Sequence, residues 1–340
     1  MNVFACQADT NWWEMVLGSE QKRFVILGAA GFIGYHLSKT ISDRDDSELL
    51  LVDNLIRGKA DNDFQELLER KNVQFRQLDL TLIESFNNLF MPNDIVFNLV
   101  ALNGTQNFYS SASDVLYHSS LPGILAPKKA SEARVSKYVY FGSSESYAGG
   151  VTLGLIDVPT PEDVPFVIAD PKNPRWSYAI SKQIGEIACH AMTGRTSFTI
   201  FRIHNVYGPR MGFEHVVPDL IRKFLSRNGE VMGVDQTRAF LYVDDAVDMV
   251  LQVADDFRSD GETFNIGSNE EIMISSLAET ITDLLEINLD IIPVPAPLGS
   301  VARRCPTTTK VRQFYHSPLT PLRDGLKKTI EWYKESIISS

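Results

Sequence analysis

The fold of this chain of 340 residues is decided by the stretch RFVILGAAGFIG at residues 23–34. Its first five residues form a short apolar run that ends at a glycine, which is typical of a strand buried on both faces. Glycines then stand at the first, fourth and seventh positions of GAAGFIG, and a helical segment from about Phe32 to Ser42 follows. A strand, a glycine loop and a helix in this order predict a dinucleotide-binding turn.

Each glycine of this loop has a separate steric task. Gly28 takes the tight turn, Gly31 lets a pyrophosphate approach the backbone, and Gly34 allows the helix to pack closely on the sheet. The helix N-terminus at Phe32 and Ile33 offers unpaired N–H groups and the positive end of a dipole to phosphates. A plain strand–helix turn is the alternative, and the residues described below argue against it.

The rest of the chain predicts an α/β fold, namely a Rossmann-type doubly wound parallel sheet. Strands are predicted at 49–52, 73–78, 95–99, 138–141 and 198–202, with helices at 82–90, 114–133 and 177–192 between them. After residue 205 the elements shorten, with helices at 216–226, 274–285 and 322–336 and strands at 262–266 and 291–294. We therefore expect an extension (1–20), a cofactor domain (21–204, rejoined near 236–266) and a smaller, partly interleaved C-terminal domain (205–340).

Composition excludes several classes of protein. The chain has 32 Lys and Arg against 43 Asp and Glu, so its net charge of −11 argues against nucleic acid as a partner. No apolar run reaches the length of about 18 residues that spans a bilayer, and residues 1–20, with Trp12 and Trp13, lack the features of a secretory signal. Because three scattered cysteines (Cys6, Cys189 and Cys305) have no metal-ligand spacing, we expect reduced thiols, no metal and a cytoplasmic location.

An acidic residue at the end of the second strand indicates which dinucleotide binds. Asp53 follows Gly34 by 19 residues, and a carboxylate there accepts hydrogen bonds from the adenosine ribose while repelling a 2′-phosphate. This favours NAD over NADP, although Arg57 lies close by. Asp79 is expected near the adenine, with a strand-end cap as the alternative. The other residues predicted to bind the cofactor are Asn54, Leu80 and Val100.

A tyrosine and a lysine four residues apart predict the catalytic group. On a helix, Tyr178 and Lys182 face the same side. A phenol with a pKa near 10 is a poor base, but a nearby ammonium and an oxidised nicotinamide favour the phenolate. Ser143 and Glu145 follow a buried strand, where they are expected to bind a substrate hydroxyl or act in acid–base catalysis. The alternative for these two is a solvated polar turn.

Taken together, these motifs resemble the extended short-chain dehydrogenase/reductases, and within them the nucleotide-sugar epimerases and dehydratases. The residues that carry the resemblance are GAAGFIG, Asp53, SSESY (143–147), YAISK (178–182) and FRIHNVYGPR (201–210), and it covers about residues 22–336. It implies NAD, a nucleotide-diphosphate sugar as substrate, Tyr178 as base, Lys182 as its pKa tuner and ribose ligand, and Ser143 as the third member. It also implies substrate contacts from Asn103, Ser144, Asn205, Arg238 and Arg304.

The family's shared chemistry is oxidation of a sugar carbon to a 4-keto intermediate, whose fate sets the reaction. We expect an epimerase, with a decarboxylase of the UDP-glucuronate type or a 4,6-dehydratase as alternatives and a non-catalytic NAD-binding regulator as a remote one. Dehydratases of the deoxythymidine type carry Asp-Glu where this chain has Ser144-Glu145. The resemblance further implies a homodimer in which segments 114–133 and 177–192 form a four-helix interface.

Overall fold

A seven-stranded parallel sheet forms the centre of the molecule in the computed structural model, which describes residues 21–192, 196–296 and 300–338. The order of its strands is β11-β6-β5-β4-β1-β2-β3. The bounds are β1 Lys22–Leu27, β2 Ser47–Asp53, β3 Val73–Gln77, β4 Ile95–Asn98, β5 Lys137–Ser143, β6 Ser197–Ile203 and β11 Thr263–Ile266. The predicted extension with Trp12, Trp13 and Cys6 lies outside the described residues.

Helices cover both faces of this sheet. Their bounds in the first two thirds of the chain are α1 Phe32–Ser42, α2 Asn62–Leu68, α3 Thr105–Ser110, α4 Ala112–Ala133, α5 Ala148–Thr152, α6 Trp176–His190, α7 Val216–Leu225 and α8 Val243–Asp255. Successive residues of β1 belong to two separate cores: Phe24 and Ile26 pack with α1 and α8, whereas Val25 and Leu27 pack with α4 and α6. This alternation confirms the predicted doubly wound parallel sheet.

Small sheets and two further helices complete the fold. The pair β7 Val206–Tyr207 and β10 Leu241–Tyr242, the pair β8 Glu230–Met232 and β13 Ile292–Val294, and the trio β9 Thr237–Ala239, β12 Glu271–Met273 and β14 Arg303–Arg304 lie beside the main sheet. The last helices are α9 Ile274–Leu284 and α10 Leu322–Ile338. Because β11 joins the edge of the main sheet beside β6, part of the second half of the chain returns to the first.

One predicted helix is wrong. The segment 82–90 forms only a 3₁₀ turn at Ile83–Phe86, and Asn88 adopts a left-handed conformation with φ of 55°. Asparagine tolerates this conformation better than most residues, so the chain turns where an α-helix would continue. Phe86 and Phe90 are buried although the segment is not an α-helix.

Two helices pack closely against each other on one face of the sheet. The helices α4 and α6 run side by side, and Gly123 and Gly185 lie at their contact. A Cβ atom added to Gly185 would also lie 2.1 Å from the hydroxyl oxygen of Tyr140 on β5, so this glycine allows α6 to approach the sheet closely. Among the described residues no helix is long and apolar enough to cross a membrane.

Candidate active site

A cavity of about 290 Å³ opens at the carboxyl ends of the main-sheet strands. Residues from the ends of β1, β2, β4, β5 and β6 line it, together with side chains from α4, α6 and β14. The strand order reverses between β1 and β4, and ligands of open α/β sheets bind in the crevice at such a reversal. The predicted residues that line this cavity are Gly28, Gly31, Phe32, Ile33, Gly34, Asp53, Asn54, Leu80, Val100, Asn103, Ser143, Ser144, Glu145, Tyr178, Lys182, Asn205 and Arg304.

The glycine loop is shaped to receive a phosphate group. Gly28 has φ of 83°, in the left-handed region, and its N–H donates to the carbonyl oxygen of Val52. A Cβ atom on Gly34 would lie 2.2 Å from the carbonyl oxygen of Gly28, so no larger residue fits there. The N-cap residue of α1 is Gly31, whose lack of a side chain leaves the first N–H groups of the helix available to a ligand.

Asp53 faces this loop and is held in place by the backbone. Its Oδ2 accepts a hydrogen bond of 3.0 Å from the N–H of Ala30, and its Oδ1 accepts one of 2.8 Å from Leu55. Burial raises the pKa of the Asp53 carboxyl, although hydrogen bonds from the backbone oppose the rise. The cradle and the carboxylate therefore fit the pyrophosphate and ribose of a dinucleotide.

Asp79 behaves differently from the other predicted cofactor ligands. It is not among the described residues that line the cavity. Its Oδ1 accepts hydrogen bonds from the N–H and the hydroxyl of Thr81, at 3.0 and 2.8 Å. The structure therefore gives it the alternative role of a cap at the end of a strand, while the adjacent Leu80 lines the cavity.

Tyr178, Lys182 and Ser143 meet at the middle of the cavity. The first two lie on α6 and the third ends β5, so the packing of α6 against the sheet brings them together. The Nζ of Lys182 donates to the carbonyl oxygen of Phe141 at 2.8 Å and lies 5.9 Å from the centre of the Tyr178 ring. The ring of Tyr178 stacks on Phe108, with 4.8 Å between ring centres.

Burial dominates the ionisation of both groups. It raises the pKa of Tyr178 to about 12, although a hydrogen bond with Ser143 and the charges of Arg57 and Arg304 oppose it. It also lowers the pKa of Lys182 to about 7, against the attraction of Glu186. In the chain without its cofactor, burial therefore opposes charge on both side chains.

Glu145 is held between two arginines. A 3₁₀ turn at Ser144–Tyr147 follows β5, and Glu145 reaches the cavity from this turn. Its carboxylate accepts hydrogen bonds of 3.1 and 3.0 Å from Arg175 and one of 2.7 Å from Arg304. Burial raises the pKa of Glu145, but Arg304 and Arg175 outweigh it and bring that pKa below its usual range. The group is therefore an ionised carboxylate.

The remaining predicted substrate residues differ in whether they line the cavity. Asn205 lines the cavity with φ of 38°, and its Nδ2 donates to the carbonyl oxygen of Ala239. Asn103 lines it as well. Arg238 does not; it bonds to the carbonyl oxygen of Thr237 at 2.7 Å and stands directly opposite Arg304 in the register of β9 and β14. Burial, followed by the charge of Arg304, lowers the pKa of Arg238 to about 9.

Comparison with known proteins assigns this chain to a family. The sequence profile of the NAD-dependent epimerase/dehydratase family matches residues 24–267, which include the glycine loop, Asp53, Ser143, Tyr178 and Lys182. The chain belongs to this family. The predicted resemblance, the prediction of an enzyme of this type and the prediction of NAD as its cofactor are thereby confirmed.

Individual members of the family that resemble this chain differ in the reaction they catalyse. A UDP-N-acetyl-α-D-glucosaminuronate decarboxylase of Bacillus cytotoxicus is 31% identical and covers 93% of this chain and 98% of its own length. A human dTDP-D-glucose 4,6-dehydratase is 28% identical over 94% of this chain and 92% of its own length. The solved structure of a UDP-glucose 4-epimerase from Thermotoga maritima has a TM-score of 0.80 at 24% identity, covering 93% of this chain and 99% of the epimerase.

The structure of this family member adds residues that the sequence did not suggest. Arg175 immediately precedes α6, and its position three residues before Tyr178 was the available signal. Arg57 and His215 line the cavity from two distant loops and contact each other at 3.3 Å. Burial, followed by the charge of Arg57, lowers the pKa of His215 to about 3, so its ring is neutral at physiological pH. Only tertiary contacts bring these two side chains together.

Proposed function

We propose that this chain is an NAD-dependent nucleotide-sugar epimerase that works through a transient 4-keto sugar. The observation that carries the proposal is the convergence of Ser143, Tyr178 and Lys182 on one cavity. One end of that cavity holds the glycine loop, and Glu145 and Arg304 lie in its wall. The family of the chain and the reactions of its relatives support a nucleotide sugar as the substrate.

In this proposal the chain's own residues remove one proton from the sugar and hold the sugar hydroxyl in position. Tyr178 takes the proton from a sugar hydroxyl, and Ser143 hydrogen-bonds to that hydroxyl and holds it against the phenol. Lys182 donates a hydrogen bond to the carbonyl oxygen of Phe141. In this proposal its amine also binds the ribose of the cofactor. Bound NAD supplies the acceptance and return of a hydride, and its positive nicotinamide favours the phenolate that burial disfavours.

The carboxylates of the cavity argue against dehydration. Asp53 and Glu145 are the acidic residues among the described ones that line it. Backbone N–H groups hold Asp53 at the glycine loop, and two arginines hold Glu145. Elimination of water calls for a carboxylate base and an acid, and Glu145, which is paired with the buried Arg175 and has a lowered pKa, is a weak base. Epimerisation needs no such pair.

Decarboxylation is the second candidate, and two observations favour it. The relative that is 31% identical decarboxylates a nucleotide-linked uronate, as its name states. Arg304, which lines the cavity beside Glu145, would also suit a substrate that carries an additional carboxylate. Loss of CO₂ from a sugar with a keto group at C4 and a carboxylate at C5 requires no base, so the ionised Glu145 does not oppose it.

Products of a substrate panel separate these reactions. NAD-loaded protein is incubated with UDP-, GDP-, CDP- and dTDP-linked hexoses and hexuronates, and the products are identified by mass and by chromatography. A new isomer of unchanged mass supports the epimerase, loss of CO₂ the decarboxylase, and loss of water would refute the argument about Glu145. Tyr178→Phe should abolish turnover, whereas Tyr117→Phe, a half-exposed tyrosine on α4, should keep it. Full activity of Tyr178→Phe would overturn the catalytic assignment.

We also propose that the chain forms a homodimer through α4 and α6. Large apolar side chains are exposed on both helices: Leu116 and Ile124 on α4 are 40% and 41% exposed, and Ile187 on α6 is 57% exposed. Apolar groups exposed along a helix pair suit a partner surface of the same kind. Light scattering should give the mass of two chains, and Ile187→Asp should reduce it to one. A monomeric wild type would refute the dimer.

A further inference from the structure

Four charged side chains form a cluster at the side of the cavity that faces the C-terminal half. We call Arg175, Arg238, Arg304 and Glu145 the arginine cluster. Arg175 and Glu145 are buried, with side chains 6% and 11% exposed, and Arg304 is 17% exposed. Only Glu145 and Arg304 of the four line the cavity. Tyr109 also hydrogen-bonds to Arg175.

The cluster carries more positive than negative charge. Two of the three guanidinium groups, those of Arg175 and Arg304, pair with the Glu145 carboxylate, and Arg238 stands opposite Arg304 on the neighbouring strand. Glu271, a further acid whose charge acts on Arg238, is occupied by Arg303 at 2.7 Å and by the hydroxyl of Thr237. Buried like charges repel one another, so this cluster favours an additional anion in the cavity beside it.

We infer that Glu145 is an internal competitor, which occupies Arg304 in the free protein and yields it to the anionic group of the substrate, while Arg175 keeps Glu145 in place. The two ion pairs of Glu145 differ in whether a ligand in the cavity can reach the arginine. Arg304 lies on the cavity wall, where a ligand can reach it, whereas Arg175 is among the described residues that do not line the cavity. A guanidinium offers several hydrogen-bond donors. In Arg304 the Nη2 donates to Oε1 of Glu145 at 2.7 Å and is therefore occupied in the free protein.

The exchange would link binding to the chemistry of the sugar. Once Arg304 turns to the substrate anion, Oε1 of Glu145 regains a free acceptor position beside Ser144, at the cavity. It can then accept a hydrogen bond from a sugar hydroxyl, while Arg175 still donates to the carboxylate at 3.0 Å. This inference rests on the proposed function for the identity of the substrate, but the competition itself needs only an anion.

Removing the competitor should tighten anion binding. Protein saturated with NAD, so that the glycine loop is occupied, is titrated calorimetrically with inorganic pyrophosphate and with UDP. Glu145→Gln keeps the shape of the side chain but gives up the charge, and we expect about tenfold tighter binding of both probes. Glu271→Gln is the matched control, because it removes a neighbouring carboxylate that does not touch Arg304; its effect should stay below about threefold.

A double-mutant cycle separates competition from a general effect of charge. Arg175→Gln leaves Glu145 with Arg304 as its remaining partner in the cluster, so we expect weaker pyrophosphate binding. In that background Glu145→Gln should tighten binding by a larger factor than in the wild type, because Glu145 then holds Arg304 more strongly. Equal factors in both backgrounds would indicate simple addition of charges and would overturn the inference.

The wild type provides a test that does not depend on the folding of variants. A crystal structure with NAD and pyrophosphate should have Arg304 on the anion and more than 4 Å from Glu145, with the bond from Arg175 retained. An unbroken pair between Arg304 and Glu145, or no binding of pyrophosphate at all, would overturn the inference. The substrate panel tests the proposed function separately: competition without turnover would refute the function alone, and turnover without competition would refute this inference alone.

Discussion

Replacing Lys182 with methionine should stabilise the fold at neutral pH while it destroys the proposed active site. The side chain is 3% exposed, and burial lowers its pKa from 10.5 to about 7. A pKa difference of one unit corresponds to about 1.4 kcal/mol. Below pH 7 the charged amine therefore lowers the free energy of unfolding by about 5 kcal/mol. The substitution Lys182→Met removes this cost and keeps a similar apolar stem.

The sign of the pH dependence follows from proton uptake. Below about pH 7 the amine is protonated in both the folded and the unfolded chain, so the cost is complete. Between about pH 7 and pH 10.5 the unfolded chain binds more protons than the folded one, and the cost disappears as the pH rises. Methionine also loses the hydrogen bond to the carbonyl oxygen of Phe141, which costs about 1–3 kcal/mol. The free energy of unfolding of Lys182→Met should exceed that of the wild type by about 2–3 kcal/mol near pH 6.5 and be close to it near pH 9.5.

Urea unfolding of NAD-free protein at these two pH values measures the difference. Lys137→Met is the matched control: that lysine is also buried but is paired with Asp260 and Ser259, both at 2.7 Å. Because its charge is compensated, the control should lose stability at both pH values. A Lys182→Met variant that is less stable near pH 6.5, or a difference from wild type that does not change with pH, would refute the reasoning.

Two further predictions concern the cofactor loop and a buried ion pair. Gly34→Ala places a Cβ atom 2.2 Å from the carbonyl oxygen of Gly28, so NAD affinity measured by fluorescence titration should fall at least about tenfold; an unchanged affinity would contradict the assigned role of the loop. Arg202→Met leaves Glu186, whose side chain is 2% exposed, without its guanidinium partner at 2.8 Å. We expect the free energy of unfolding to fall by about 3–5 kcal/mol in urea, and Glu186→Met in the same chain should recover part of the loss.

The accuracy of the sequence predictions depends on the range of the interactions involved. The segment 23–34 was predicted with its strand, loop and helix because burial on both faces and the glycine spacing are local in sequence. The segment 82–90 was predicted as a helix, whereas it forms a 3₁₀ turn and Asn88 turns the chain. Phe86 and Phe90 are buried by contacts with distant strands, which the periodicity of a short segment does not distinguish from helical packing.

The sequence by itself determined the parallel sheet, the glycine loop between β1 and α1, the position of Asp53 at the end of β2 and the placement of Tyr178 and Lys182 on one helix. All of these depend on residues that are near one another in the chain or follow a regular period. Only the tertiary structure decided the charge state of the site. Arg175 and Arg304 reach Glu145 from 30 and 159 positions away, and burial sets the pKa of Tyr178 and Lys182. Desolvation and ion pairing depend on what surrounds a group in space, and spacing along the chain does not contain that information.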